Sequence, residues 1–291
     1  MNGVVFHIVS GHSFFTGIFL LVIAAFGSTA SGPVFKRVTT LSFLIGAIAV
    51  VVSSTAISYW WYAVAAMASL AWTLSWFKTT WRSRTAYIMA GTWLVAGAIE
   101  LPYHITPSIA SSGDRSITII GDSVTAGVGG DEKSETWPSI IGREHDLQVQ
   151  DISHVGETAA SALRRARSQE IAGQVVIVEI GGNDVLGTTS SKQFGSDLNE
   201  LLWHLVSPGR QVVMFELPLP PMYHEYGRLQ RKVAAKHGVI LVPKRIFLSV
   251  LAGGNSTLDS IHLSQAGHQG MADCVWQLTK DAFATREAGS P

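Results

Sequence analysis

The chain has a single cysteine, Cys274, so it can form no internal disulfide, and cysteine usage says nothing about redox compartment. In "MADCVWQL" that thiol lies among apolar residues at helical spacing. With no basic neighbour to activate it, it reads as a buried structural cysteine. Charge is also scarce. Asp, Glu, Lys and Arg make up 14% of the 291 residues, while 47% are hydrophobic. Ordinary soluble domains carry about 25% charged residues. No basic cluster stands on the charged part, which excludes a nucleic-acid footprint. Internal repeats and low-complexity tracts are missing too.

The shortage of charge is uneven. From Met1 to Ala110 the charged residues are Lys36, Arg37, Lys78, Arg82, Arg84 and Glu100. From Ser111 onward, 16 basic and 20 acidic residues leave an ordinary, slightly acidic segment at −4. Crossing a hydrocarbon core takes roughly 20 apolar residues. "FFTGIFLLVIAAFGSTA" supplies one crossing, with apolar residues reaching back to Val4. "LSFLIGAIAVVVSSTA", "YWWYAVAAMASLAWTLSWF" and "AYIMAGTWLVAGAIELPYHI" supply three more. Centring Glu100 in lipid would cost about 2.5–3.5 kcal/mol, so it is expected at the interface. Lys36 and Arg37 follow helix one; Lys78, Arg82 and Arg84 follow helix three. The positive-inside rule puts both basic loops in the cytoplasm, and the N-terminus and everything after helix four outside. Trp60, Trp61 and Tyr62 mark the outer border, and Trp76, Trp81 and Tyr87 the inner one. A cleaved signal peptide would need a basic start. His7, His12 and His104 have no metal-ligand spacing and read as interfacial residues. Residues 1–107 are therefore expected to be an all-α transmembrane region of four helices, an anchor in a lipid bilayer.

After "PSIASSGD", a linker, the pattern changes. β-rich runs occur at "SITII", "LQVQDI", "QVVIVEI", "QVVMFEL" and "GVILVP". Between them lie amphipathic stretches such as "TAASALRRARSQEI", "FGSDLNELLWHLV" and "RLQRKVAAKHG", and a closing helix is expected after Ser264. Strands alternating with helices imply parallel βαβ units, and so a three-layer α/β/α domain over 108–291. Functional groups should sit in the loops at the carboxyl ends of its strands.

The first of those loops is "GDSVTAGVGG". A phosphate-binding loop needs G-x-x-x-x-G-K-[ST], but the first basic residue here is Lys133. G-x-G-x-x-G fails on spacing, and the esterase elbow G-x-S-x-G lacks its second glycine. Ser123 still stands where an elbow exposes its serine, between strand and helix. A serine nucleophile needs a base, a group to orient that base, and an oxyanion hole. "GGND" brings Asn183 to a second strand end, and its amide could donate to an oxyanion. "SHVGETA" offers the unhindered N–H of Gly156. "LDSIHLS" places Asp259 three residues before His262, within reach of its imidazole.

These four motifs, "GDSVTAG", the glycine of "ISHVGETA", "GGND" and "DSIH", resemble those of the SGNH or GDSL hydrolases. The likeness runs from about Ser116 to the end. It is strongest to a branch of bacterial periplasmic thioesterases, arylesterases and lysophospholipases, a branch that "TWPSII" and "ELPLPPMY" also resemble. The resemblance implies a flavodoxin-like α/β/α fold and a serine esterase, which the expected helices over residues 1–107 would anchor in the membrane. Ser123 would be the nucleophile, His262 its base and Asp259 the group that orients His262. The N–H groups of Ser123 and Gly156, with Asn183, would form the oxyanion hole. No metal or cofactor is implied. The substrate would be a lysophospholipid or another acyl ester of the cell envelope, met on the periplasmic or extracellular side of a bacterial inner or cytoplasmic membrane. An O-acetyl esterase of envelope glycans and a non-catalytic acyl-binding domain are the alternatives. Asp151 departs from relatives that often carry asparagine there, and is expected to alter turn bonding rather than chemistry.

Overall fold

The computed structural model describes residues 1–291 except Lys78, 128–134, Ser260 and 285–291. Lys78 of the second basic loop, the tail of the "GDSVTAGVGG" turn and the serine within "DSIH" thus lie outside the described residues. The chain divides into two compact units. One comprises Gly3–Ile105 with Leu219–His224; the other comprises Thr106–Pro218 and Glu225–Pro291 with Met1–Asn2.

The first unit is helical: α1 (Gly3–Val9), α2 (His12–Gly27), α3 (Pro33–Val52), α4 (Tyr59–Leu74) and α5 (Arg82–Glu100). The expected first span does not run straight back to Val4. Gly11 takes a positive φ of 86° at the junction, and α1 bends from α2 by 84°. Among the described residues, α3 alone is long and apolar enough to cross a membrane, or two spans qualify if the bent pair counts as one. α2 and α4 stop at 16 residues, and α5 carries Arg82, Arg84 and Glu100. Two glycines set the approach of α2 to α3. A Cβ on Gly17 would lie 2.6 Å from Val50 Cγ2 and 2.7 Å from the Gly46 carbonyl oxygen, the close backbone contact that small residues permit. Phe14, Leu21, Trp72, Met89 and Trp93 form the core. Polar atoms point inward: Trp72 Nε1 donates to Ser28 Oγ at 3.1 Å and Trp93 Nε1 to Ser69 Oγ at 3.0 Å. Large apolar side chains such as Leu41, Leu44, Ile48, Val51, Met67 and Leu94 point outward.

Two features of this unit did not show in its hydropathy. Glu100 is fully buried, with its Oε1 3.4 Å from His104 Nε2. The His12 ring lies 6.0 Å from that of His7 and 5.8 Å from that of His104, so the three histidines form one cluster. Segment Leu219–His224 also groups with these helices. Ser54 Oγ donates to the Leu219 carbonyl at 2.5 Å, and His224 Nε2 lies 2.8 Å from the Ser53 carbonyl. Met222 and His224 line an apolar cavity of about 730 Å³ together with Leu21, Phe43, Tyr62 and Trp93.

The second unit contains β1 (Ser116–Gly121), α6 (Ser123–Ala126), α7 (Trp137–His145), β2 (Gln148–Asp151), α8 (Ala159–Arg167), β3 (Val175–Glu179), α9 (Gly182–Leu186), α10 (Ser191–Leu205), β4 (Gln211–Phe215), α11 (His224–His237), β5 (Ile240–Val242), α12 (Lys244–Leu251) and α13 (Gln265–Thr279). Among the described residues it has five strands, all parallel, in the order β2-β1-β3-β4-β5. Residues of β1, β3 and β4 are buried on both faces, which is why these strands read as continuous apolar runs. Ile117, Ile119, Val175, Ile177, Val213 and Phe215 join residues of α7, α12 and α13 in one cluster. Cys274 on α13 is half-buried, and burial first of all pushes its thiol up to about 12, which leaves it unreactive. Strand order reverses between β1 and β3, and their carboxyl ends open the crevice where α/β sheets carry their sites.

Fully buried Asp184 ties two loops at that edge, its Oδ2 accepting the N–H of Ala159 at 2.9 Å. Burial pushes its carboxyl up from 3.8 to about 6. The folded chain then keeps a proton that the unfolded chain has lost, so this group's contribution to stability falls as pH rises from about 4 to 6. Asparagine retains an acceptor for Ala159 and has no proton to lose. Relative to wild type, the Tm of Asp184→Asn should therefore rise between about pH 4 and pH 7. A difference that stays constant across that interval would contradict this account of Asp184.

Candidate active site

Ser123 follows β1 directly, at the first position of α6, and is 8% exposed. Asp122 precedes it as the N-cap, its Oδ1 accepting the Val124 N–H at 2.9 Å. This bond turns the chain from strand to helix within one residue. The serine hydroxyl is thereby held at the carboxyl edge of the sheet.

A turn just before α13 carries the other two members of the expected triad. A bridge between Thr257 and Leu263 closes it, and the Leu258 N–H bonds to the His262 carbonyl at 2.8 Å. Asp259 Oδ1 accepts the N–H groups of Ile261 at 2.7 Å and His262 at 2.8 Å. Its Oδ2 lies 2.7 Å from His262 Nδ1, and His262 Nε2 lies 3.2 Å from Ser123 Oγ. The bond from the imidazole, with the two backbone bonds, holds the Asp259 carboxyl well below the usual carboxylate range. Ser264 Oγ accepts the Gly267 N–H at 3.2 Å, capping α13 where a closing helix was expected.

Gly156 lies in the loop after β2 at φ 77°. A Cβ there would meet nothing within 4 Å, so conformation rather than space requires the glycine. Asp151 shapes the start of that loop, its Oδ1 accepting the Ser153 N–H at 2.9 Å and the Ser153 hydroxyl at 2.6 Å. Asn183 stands on α9, after β3. Its Nδ2 donates to the Glu157 carbonyl at 3.0 Å and reaches Asp122 Oδ2 at 3.4 Å, drawing together the loops after β1, β2 and β3. Ser123, His262 and Asp259 thus form one chain of contacts, and Asn183 joins the Asp122 and Gly156 loops.

Several groups around the site were missed in the sequence. Glu179, at the end of β3, accepts from Thr125 Oγ1 at 2.9 Å. Glu157, next to Gly156, is buried and pairs with Arg165 at 2.7 Å. His268 Nδ1 accepts the Trp137 N–H at 3.3 Å, and burial lowers its pKa. "VIVEI" could have exposed Glu179, since a carboxylate inside an apolar strand needs a reason. Among the described residues, no group of three or more His, Cys, Asp or Glu side chains could hold a metal ion.

The model of a GDSL-like lipase/acylhydrolase family matches residues 119–269, more than half of the chain. Esterase TesA of Pseudomonas aeruginosa is 28% identical over 180 residues, covering 57% of this chain and 88% of TesA. An arylesterase of Vibrio mimicus is 32% identical over 126 residues, covering 40% of this chain and 61% of the arylesterase. A crystal structure of TesA superposes with a TM-score of 0.50 at 26% identity, over 57% of this chain and 98% of the other. The psychrotrophic esterase EstA from Pseudoalteromonas sp. reaches 0.52 at 21% identity, over 57% and 97%, a likeness of fold. An α/β sheet with this strand order and these loops accords with the matches: the chain belongs to the GDSL-like lipase/acylhydrolase family and is a carboxylic-ester hydrolase.

Proposed function

We propose that the protein is a membrane-anchored serine esterase that cleaves acyl esters of the cell envelope through an acyl-enzyme. The observation that carries this reading is the run of contacts Ser123 Oγ–His262 Nε2, 3.2 Å, and His262 Nδ1–Asp259 Oδ2, 2.7 Å. Ser123 Oγ attacks the ester carbonyl carbon as His262 Nε2 takes its proton. The oxyanion is held by the N–H groups of Ser123 and Gly156 and by Asn183 Nδ2. The intermediate collapses, and the alcohol leaves with the proton from His262. Water then attacks the acyl-enzyme while giving a proton to His262, which returns it to Ser123 as the acid departs.

The anchor reading rests on the helical unit, whose outer surface is apolar while Ser13, Thr39, Ser42 and Glu100 are buried inside. That inverts the pattern of a helix bundle in water. Helices α2, α3, α4 and α5 span the bilayer, with the basic loops in the cytoplasm and the catalytic domain, 108–291, on the far side. A lipid ester such as a lysophospholipid fits an enzyme held at that surface better than a soluble ester does.

The full chain in detergent, assayed on p-nitrophenyl esters from acetate to palmitate, should prefer medium or long acyl chains. Preference for acetate would favour a glycan deacetylase instead. Ser123→Ala should lose measurable turnover at every chain length; retained turnover would remove Ser123 from the nucleophile's role. Asn183→Ala should lower kcat by about 10²–10³ with the fold intact. Alkaline carbonate should leave the protein in the membrane pellet, and its release into the supernatant would contradict the anchor.

A further inference from the structure

Helices joined by a short turn ordinarily pack against each other. In the helical unit α3 packs on α2 and α4 on α5, but α3 and α4 make little contact with one another. They meet at one end, where the rings of Phe43 and Trp72 stand 5.1 Å apart. Between that contact and the turn joining them lies the apolar cavity of about 730 Å³. Its walls run from Phe43 to Val51 on α3 and from Tyr59 to Thr73 on α4. At 1.5 Å per residue these stretches measure roughly 12 and 21 Å, bracketing the roughly 15 Å of one leaflet. Leu21, Val50 and Trp93 are buried and form the floor; Val51, Leu70 and Met222 are exposed and form the rim. The cavity is therefore a cleft that opens on the apolar outer surface of this unit.

We propose that this cleft is a binding site for one acyl chain of an outer-leaflet phospholipid. The inference rests on the reading of the helical unit as membrane-spanning, which surrounds it with lipid and puts the turn near Ser58 outside. The polar groups of the wall are already engaged. Tyr62 Oη donates to the Thr55 carbonyl at 3.1 Å, and Thr73 Oγ1 to the Leu70 carbonyl at 2.8 Å. Ser69 Oγ donates to the Ala65 carbonyl at 2.8 Å and accepts Trp93 Nε1 at 3.0 Å. His224 Nε2 lies 2.8 Å from the Ser53 carbonyl. Water needs two to four polar partners to settle in a cavity, and a headgroup needs bonds of its own. Hydrocarbon needs neither, and it restores the dispersion contacts that an unfilled floor forfeits. At the rim, Met222 is held at φ 77° and is 83% exposed. A bulky residue in that conformation stores strain of the kind found at ligand clamps, and a flexible thioether adapts to an apolar guest. The helix of a second copy does not fit. It is about 10 Å across and crosses both leaflets, whereas Phe43 and Trp72 close this cleft at one end.

The full chain would be reconstituted in phosphatidylcholine vesicles with a trace of an ether-linked phosphatidylcholine that carries a diazirine in one chain. An esterase leaves its ether bonds intact. After irradiation, adducts mapped by mass spectrometry should fall on cleft residues as well as on the outward faces of the helices. Ala66 lines the cleft from an exposed position, so Ala66→Trp fills it without disturbing the packed core. It should lower the cleft adducts about 10-fold, the effect of an overpacking clash of ordinary size. Ala47→Phe, from the facing wall, should act alike. Leu44→Trp, on the outward face of α3, should leave them unchanged. In detergent, native mass spectrometry should show the same ether lipid saturating at one per wild-type chain and failing to do so in Ala66→Trp. Adducts confined to the outward faces, or cleft adducts equal in wild type and both filled variants, would overturn the site and leave the anchor standing. A dimer that excludes the lipid would overturn it in favour of a second copy. No adduct on any helix, together with release by alkaline carbonate, would sink the anchor as well.

Discussion

The carboxyl group of Asp122 is the fixed point of the catalytic edge. One oxygen caps α6 and so places Ser123; the other lies against the Asn183 amide. A buried carboxylate is costly unless each lone pair finds a donor. Here the donors are parts of the site itself. The nucleophile's turn and the start of α9 are therefore both bonded to one buried carboxyl, and moving either leaves it underbonded. The parallel sheet makes the convergence possible, since β1 and β3 are neighbours with their carboxyl ends level.

Much of this arrangement was legible in the residues. Continuous apolar strands alternating with amphipathic helices announced a parallel sheet, and five strands lie where the β-rich runs fell. The loops after β1, β2 and β3 carry Ser123, Gly156 and Asn183, and three-residue spacing allowed Asp259 to reach His262. What escaped were contacts that join distant segments. Glu179 looked like a strand residue, Glu157 like part of a polar turn, and the bond between Asp184 and Ala159 has no local signature. α7 and α12 were not anticipated either, because each is only eight or nine residues long and shows too few turns for its period to stand out.

The helical unit teaches the same lesson. Its hydropathy foretold helices in the right stretches, and α3 has the length and apolarity of a span. Hydropathy could not reveal the 84° bend at Gly11, nor that the bend gathers His7 and His12 beside His104 and the buried Glu100. Nor could it assign Leu219–His224, which leaves β4 as a proline-rich connection and belongs with the helices. Local pattern reports the period and the burial of one element. Partnership between elements is set by tertiary packing.

The central claim is that Ser123 is an activated nucleophile, and trapping it tests this most directly. The full chain would be treated with a fluorophosphonate, digested and analysed by mass spectrometry, alongside His262→Ala. The account predicts a single adduct on Ser123 that forms far more slowly in the variant. An adduct on another residue, or equal labelling of Ser123 in both proteins, would contradict it.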